Sequence, residues 1–178
     1  MAHAGGMESG LRSQAVVVAG PSGSGKSTVG RVLAERLGAT FVDADDLHPA
    51  QNVAKMAAGD PLSDHDREPW LRRVADRIAD EPDGIVVACS ALRRAYRELL
   101  RMRAGRPLVF VQLRLAREAL AGRLQAREGH FMPVALLDSQ LATLEPLEPD
   151  EPGIVVDGTL APAAICGEVV AWLARTAS

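Results

Sequence analysis

Residues 20–27 have the composition and spacing of a phosphate-binding loop. They read Gly-Pro-Ser-Gly-Ser-Gly-Lys-Ser and match G-x-x-x-x-G-K-[ST] at every position. An apolar run at 15–19 precedes them and apolar residues at helical spacing follow, which is the strand–loop–helix context that the motif requires. In that context, inward-facing backbone N–H groups and a helix N-terminus attract phosphate. Lys26 is expected to reach the β- and γ-phosphates, and the Ser27 hydroxyl to bind Mg²⁺.

The motif therefore predicts a site for a nucleoside triphosphate, most simply Mg-ATP. The alternative is a glycine-rich turn that only caps a helix, and the complete match and the flanking elements argue against it. The residues predicted to contact the nucleotide, with Thr28 added for its position, are Gly20, Pro21, Ser22, Gly23, Ser24, Gly25, Lys26, Ser27 and Thr28.

Acidic residues follow the second predicted strand, residues 40–42. In open α/β sheets the carboxyl ends of the strands face the ligand, so Asp43 and Asp45 are expected beside the phosphate loop. Asp43 is the candidate for holding Mg²⁺ through water, and Asp45 for orienting an acceptor hydroxyl or taking its proton. The two roles could be exchanged. The alternative is that Asp45 or Asp46 caps a helix.

Apolar runs alternate with helical patterns along the chain, which predicts an α/β fold with a parallel sheet covered by helices on both faces. Gly38 is expected to end the first helix, and 48–69 to be a polar stretch with room for one short helix. Residues 14–178 are predicted to form a single domain. The predicted strands are 15–19, 40–42, 85–88, 108–113 and 154–156, and the later helices are 70–80, 91–102, 118–127, 134–144 and 162–175.

Composition and charge limit the classes of partner. A net charge of -3 and an aromatic content of 3% argue against a surface that binds nucleic acid. No apolar run reaches the roughly 20 residues of a membrane span, so no membrane partner is expected. The two cysteines, Cys89 and Cys166, are too few for a disulfide framework and favour a reducing cytoplasm. Residues 1–13 are expected to be a disordered leader.

Four further segments resemble the gluconokinase family. The first, at 45–71, opens with Asp-Asp-Leu-His-Pro, and the second, at 89–101, opens with Cys-Ser-Ala-Leu-Arg-Arg. The third, at 123–132, ends in Gly-His-Phe-Met and resembles the lid of that family, and the fourth, at 137–145, resembles the helix after the lid. The first two are much more specific than the phosphate loop. The matches together span about 16–160.

The resemblance implies a P-loop kinase related to shikimate and nucleoside-monophosphate kinases. It implies a five-stranded parallel sheet in the order 2-3-1-4-5 and a mobile lid at about 123–133. It also implies transfer of the γ-phosphoryl group of ATP to the 6-hydroxyl of D-gluconate, in gluconate catabolism. Family members are often dimers, which implies a homodimer. The competing hypotheses are a related kinase for shikimate or a nucleotide, and a non-catalytic ATP-dependent switch.

D-Gluconate needs a cation for its carboxylate and hydrogen-bonding groups for its hydroxyls. Arginine binds carboxylates bidentately, and analogy with related kinases favours Arg67 and Arg93 as substrate contacts. Asp45 and His48 are the predicted contacts to hydroxyls, and Lys55 has weaker support. The alternative for His48 is a structural role, in which it caps a helix or packs the loop. The alternative for any arginine on the helix after the third strand is a surface residue without a substrate contact.

The family lid contains two arginines at helical spacing. Arg123 and Arg127 are four residues apart and therefore share a helix face. Lid arginines of related kinases close over the phosphates, and Arg127 is preferred because it adjoins the loop. The alternative is surface salt bridges with Glu118 or Glu128. The predicted catalytic residues are Lys26, Asp45 and Arg127.

Several other residues are interpreted as structural. Arg94 and Arg97 are as well explained by exposure on the solvated face of a helix as by contact with a substrate. Cys89 is expected to be a small buried residue without a metal partner. Packing roles are also expected for Trp70, Met56, Met102 and Met132.

Overall fold

The computed structural model describes residues 13–126 and 134–176, and its centre is a parallel sheet. The strands are β1 (Ala15–Ala19), β2 (Thr40–Asp43), β3 (Ile85–Ala88), β4 (Leu108–Arg114) and β5 (Gly153–Asp157). They align in the order β2-β3-β1-β4-β5, which confirms the order implied by the family resemblance. β1 is central, and its Val17 pairs with Val87 of β3 and Phe110 of β4. The loop that follows β1 therefore emerges at the middle of the sheet edge.

The helices in the described part of the chain are α1 (Lys26–Leu37), α2 (Ala50–Ala57), α3 (Asp64–Ala79), α4 (Arg94–Ala104), α5 (Arg117–Gln125), α6 (Val134–Thr143) and α7 (Pro162–Thr176), with a 3-10 helix at Ala44–Leu47. In these segments no helix combines the length and the apolar character that a membrane crossing requires. α1 ends as predicted, because Gly38 adopts a left-handed conformation with φ of 64°.

The two faces of the sheet carry separate apolar cores, since successive side chains of a strand point to opposite faces. Val17 belongs to a cluster with Leu71 of α3 and Leu100 of α4. Val18 belongs to a second cluster with Leu33 of α1, and α7 also contributes to that cluster. Helices thus cover both faces, as the alternating sequence pattern predicts.

α3 begins at Asp64, so the predicted start at Trp70 is wrong. Ser63 caps the helix: its hydroxyl accepts a hydrogen bond from Asp66 N, and the Asp66 carboxylate accepts one from Ser63 N. This capping box stabilises the first turn of the helix, and Pro69 lies inside the same helix. The earlier start places both Asp64 and Arg67 in the helix.

α4 begins at Arg94, so the predicted start at Ala91 is also wrong. Ala91 has a φ of 39°, and a residue in that region cannot continue a right-handed helix. Residues 89–93 are consequently an irregular segment that follows β3.

Candidate active site

The phosphate loop, residues 20–27, leaves the carboxyl end of β1 and enters α1. Gly23 and Gly25 have φ values of 82° and 94°, which residues with a side chain rarely adopt. A Cβ atom at Gly23 would also lie 3.0 Å from Leu124 Cγ and 3.1 Å from the Leu120 carbonyl oxygen. The glycines therefore allow the curled backbone, which ends at a helix N-terminus and suits a phosphate chain.

Two side chains of the loop are held by polar contacts. Lys26 Nζ donates to the Pro21 carbonyl at 2.9 Å, and Ser27 Oγ donates to Asp43 Oδ2 at 2.6 Å. Asp43 thus lies next to the hydroxyl that was predicted to bind a metal ion. The pair supplies adjacent oxygen atoms, and oxygen is the ligand that Mg²⁺ prefers.

The remaining predicted phosphate contacts differ in exposure. Ser24 is 1% exposed, and its hydroxyl has no hydrogen-bond partner among the described residues. Thr28 is exposed in the first turn of α1.

Asp43 also caps the 3-10 helix, since its Oδ1 accepts a hydrogen bond from Asp45 N at 3.2 Å. The alternative that Asp45 or Asp46 provides the cap is therefore wrong. The Asp45 side chain is 77% exposed and faces the cavity described next.

A cavity of about 450 Å³ opens beside the phosphate loop. Its volume falls within the roughly 300–1,000 Å³ of small-molecule sites. It brings predicted nucleotide contacts and predicted acceptor contacts to one place. The polar residues that matter most to its chemistry are Ser22, Lys26, Asp45, His48, Arg67 and Gln140.

His48 packs against a fixed aromatic wall. Its ring stacks on Trp70 with centroids 4.1 Å apart and planes 11° apart, and Trp70 Nε1 donates to the Ala44 carbonyl at 2.7 Å. His48 Nε2 lies 4.0 Å from Asp45 Oδ1. Burial, assisted by the positive charge of Arg67, lowers the pKa of His48 to about 4, so the imidazole is neutral at pH 7.

The two arginines predicted to bind a substrate carboxylate converge on a carboxylate of the protein. Arg93 Nη1 donates to Asp64 Oδ2 at 2.7 Å, and Arg67 Nη1 lies 3.9 Å from Asp64 Oδ1. The Tyr96 hydroxyl donates to Asp64 and accepts from Arg67 Nη1 at 3.2 Å. One carboxylate can therefore meet both guanidinium groups. Among the described residues that line the cavity, Arg67 is present and Arg93 is not.

Two other basic residues, Lys55 and Arg94, pair with acidic side chains of the protein. Lys55 Nζ donates to both oxygens of Asp66 at 2.8 and 2.9 Å, and these hydrogen bonds hold the pKa of Asp66 below its usual value. Arg94 binds Glu98 and Asp150 on an exposed surface, as expected for a solvated helix face.

Arg97 is not on a solvated face, and that interpretation is wrong. Its side chain is 1% exposed and donates to both oxygens of Glu151, at 2.6 and 2.8 Å. Nη1 also donates to the carbonyls of Ala91 and Glu145, and Nη2 to that of Pro146. Arg97 thus joins the segment after β3 to the loop before β5.

Two side chains that were not among the predicted catalytic or binding residues contact the phosphate loop. Gln140 Oε1 accepts a hydrogen bond from Ser22 N at 2.7 Å. Arg123 donates to the carbonyls of Ser24, at 3.2 Å, and Gly158, at 2.9 Å, so it binds backbone and not Glu118. The only sequence signal for Gln140 was its position in segment 137–145, which resembles the gluconokinase family. No rule of residue spacing predicts a contact between residues 118 positions apart.

Residues 127–133 lie outside the described part of the chain, so Arg127 and most of the predicted lid remain predictions. Met132 lies there as well. Cys89 is buried, and burial raises the pKa of its thiol to about 12, which agrees with a packing role. Met102 is 83% exposed, so its predicted packing role is wrong.

Comparison with known proteins identifies the family. A family model described as an AAA domain matches residues 16–147. A gluconokinase of Gluconobacter oxydans (strain 621H) is 48% identical over 164 residues, which cover 90% of this chain and 92% of that protein. The chain belongs to the gluconokinase family. The prediction drawn from segments 45–71 and 89–101 is thereby confirmed.

Solved structures agree with this assignment. The crystal structure of a gluconokinase from Sinorhizobium meliloti 1021 matches with a TM-score of 0.85 and 45% identity, over 93% of this chain and 94% of that one. A shikimate kinase from Acinetobacter baumannii in complex with shikimate matches with a TM-score of 0.58 and 17% identity, over 95% of this chain and 98% of that one. The second match shows the fold alone. The gluconokinase-family chain is therefore a P-loop kinase, and its family uses ATP.

Proposed function

We propose that this chain transfers the γ-phosphoryl group of ATP to the 6-hydroxyl of D-gluconate, giving 6-phospho-D-gluconate and ADP, in gluconate catabolism. The observation that carries the proposal is the shared cavity, in which Lys26 of the phosphate loop lies with Asp45, His48 and Arg67. A two-substrate kinase needs this juxtaposition, because phosphoryl transfer depends mainly on positioning and charge neutralisation. Membership of the gluconokinase family selects gluconate as the acceptor.

The acceptor side supplies groups that match a sugar acid. Arg67, which already interacts with the carboxylate of Asp64, binds the carboxylate of gluconate, and Arg93 assists from beside the cavity. Asp45 accepts a hydrogen bond from the reacting hydroxyl and orients it. His48, neutral at pH 7, binds the same or a neighbouring hydroxyl.

The nucleotide side uses the phosphate loop and the acidic end of β2. Residues 20–28 cradle the phosphates, with Lys26 as their cation. Ser27 and Asp43 would hold Mg²⁺, directly or through water, and their mutual 2.6 Å contact supports this fit. When bound, ATP supplies the phosphoryl group and Mg²⁺ neutralises its charge. The loop after β5, which Arg123 joins to the phosphate loop, lies where the adenine is expected.

Three further features belong to the proposal. A lid at about 123–133 closes over the site and places Arg127 on the transferring group, which excludes water and limits ATP hydrolysis. Residues 14–178 act as one kinase domain. The enzyme works in the cytoplasm as a homodimer.

The proposal is tested by measuring ADP release with gluconate, shikimate and nucleoside monophosphates as separate acceptors. Gluconate should stimulate ADP release strongly, and the other acceptors should not. A Lys26→Met variant is the control for contaminating kinases, because it should lose the gluconate-dependent rate. ADP release that does not depend on any acceptor would contradict the kinase proposal and favour a switch. Stimulation by shikimate or a nucleotide would instead identify a related kinase.

A further inference from the structure

Asn52 is a buried polar residue of α2 that has no role in the proposed reaction. It is 3% exposed, and it is not one of the described residues that line the cavity. Its Nδ2 donates to the Asp66 carbonyl at 2.8 Å and lies 3.3 Å from His48 Nδ1. Asn52 therefore contacts Nδ1 of the His48 ring, while the other ring nitrogen, Nε2, lies near Asp45.

The Asp66 carbonyl determines which way the Asn52 amide points. A backbone carbonyl only accepts hydrogen bonds, so the amide atom at 2.8 Å from it must be the NH₂ group. The flipped amide would place two oxygen atoms against each other in a buried site, which is strongly unfavourable. The same NH₂ group is the atom that faces His48 Nδ1.

The orientation of the amide in turn determines the tautomer of His48. Nδ1 faces a donor and must accept, so the single proton of the neutral ring is on Nε2. The stack on Trp70 holds the plane of the ring, with planes 11° apart. Protonation of Nδ1 would set its N–H against the NH₂ group of Asn52, two donors facing each other.

We propose that Asn52 is a positioning residue that keeps His48 as the Nε2–H tautomer, so that Nε2 donates to a hydroxyl of the acceptor. Its role in catalysis rests on the proposed function. A hydroxyl both donates and accepts: Asp45 takes its donated hydrogen bond, and His48 supplies the bond that its oxygen accepts. The pair thus distinguishes a hydroxyl from an anionic group, which would be repelled by Asp45.

The tautomer can be measured without the reaction. In ¹⁵N NMR of the full chain at pH 7, an unprotonated imidazole nitrogen and a protonated one have distinct shifts, and a His48→Gln variant identifies the signals of His48. Nδ1 should be the unprotonated nitrogen in the native protein. In Asn52→Asp a carboxylate replaces the donor, so the proton should move to Nδ1. In Asn52→Ala both tautomers should be detectable. Gln51→Ala, an exposed neighbour on α2, should leave the spectrum of His48 unchanged.

Kinetics then test the consequence. Asn52→Asp and Asn52→Ala should lower kcat/KM for gluconate about tenfold, the effect of one hydrogen bond, while KM for ATP stays the same. A protonated Nδ1 in the native chain, or an Asn52→Asp variant that keeps the native tautomer, would overturn the proposal. So would a changed tautomer with native kinetics for gluconate. If the native chain does not phosphorylate gluconate, the proposed function fails, and the NMR result still decides whether Asn52 sets the tautomer.

Discussion

Replacing Arg97 with methionine should destabilise the protein far more than any surface arginine change. Methionine keeps an unbranched stem as far as the Nε position, but it removes the cation that Glu151 needs. The side chains of Arg97 and Glu151 are 1% and 2% exposed, so water cannot substitute for the lost partner. The carbonyls of Ala91, Glu145 and Pro146 also lose their donor.

The magnitude follows from burial. Breaking a buried ion pair by removing one partner costs about 3–5 kcal/mol. For a protein of 150–250 residues, each kcal/mol shifts the unfolding temperature by roughly 2–4 °C. Arg97→Met should therefore lower the unfolding temperature by about 6–20 °C. Because the same contacts hold the segment after β3, the variant should also lower activity at temperatures well below unfolding.

The assay is thermal unfolding followed by circular dichroism at pH 7. Arg94→Met is the matched control, since Arg94 lies on the same helix and also binds a carboxylate with two nitrogens, but on an exposed surface. The control should unfold at nearly the native temperature. Removing both partners, in Arg97→Met with Glu151→Leu, should cost less than the sum of the two single changes, because no unpaired charge stays buried.

The pH dependence gives a second test. Hydrogen bonds from Arg97 hold the pKa of Glu151 below its ordinary value of 4.5. The stabilisation by the pair is therefore complete above about pH 4.5 and is lost as the pH falls through the lower folded-state pKa. The difference in unfolding temperature between the native chain and Arg97→Met should therefore become smaller as the pH is lowered below about 4.5. Equal unfolding temperatures for Arg97→Met and Arg94→Met, or strictly additive effects in the double variant, would refute the argument.

Three predictions concern the reaction. Asp45→Asn should lower kcat for gluconate at least tenfold, about 1.4 kcal/mol of transition-state free energy, and a smaller loss in steady-state kinetics would exclude a catalytic role. Arg127→Ala should lower kcat at least about tenfold with little change in KM for gluconate, since the arginine is predicted to act on the transferring phosphoryl group, and an effect on KM alone would count against it. Asp64→Asn should lower KM for gluconate about two- to fivefold, because it removes a carboxylate that competes for Arg67 and Arg93. A higher KM would mean that Asp64 orients these arginines instead.

Much of the nucleotide side could be predicted from the sequence. The phosphate loop depends on glycines, a lysine and a serine that are neighbours in the chain, so its residues and its geometry are encoded together. The strand order came from the resemblance of segments 45–71 and 89–101 to a known family and is confirmed. The start of α3 was missed although Ser63 and Asp66 have capping-box spacing, because the residues up to Pro69 were assigned to the polar stretch.

The acceptor side could be predicted only in part. Asp45, His48 and Arg67 were named from the sequence, and the cavity contains all three. The carboxylate that meets Arg93 was not foreseen, since Asp64 is 29 residues away in the chain. The contact of Asn52 with His48 is local, four residues apart, but its meaning depends on the distant Asp66 carbonyl.

Arg94 and Arg97 illustrate what only the tertiary structure decided. They lie on one helix, carry the same charge and received the same interpretation, yet Arg94 is on the surface and Arg97 is buried. The difference comes from Glu151, which is 54 residues from Arg97 in the chain. By itself, the sequence determined the phosphate loop, the alternation of strands and helices, and the family, because these depend on neighbouring residues and on motifs. Burial and the choice of partner depend on which distant segments pack together, and those only the folded chain brings into contact.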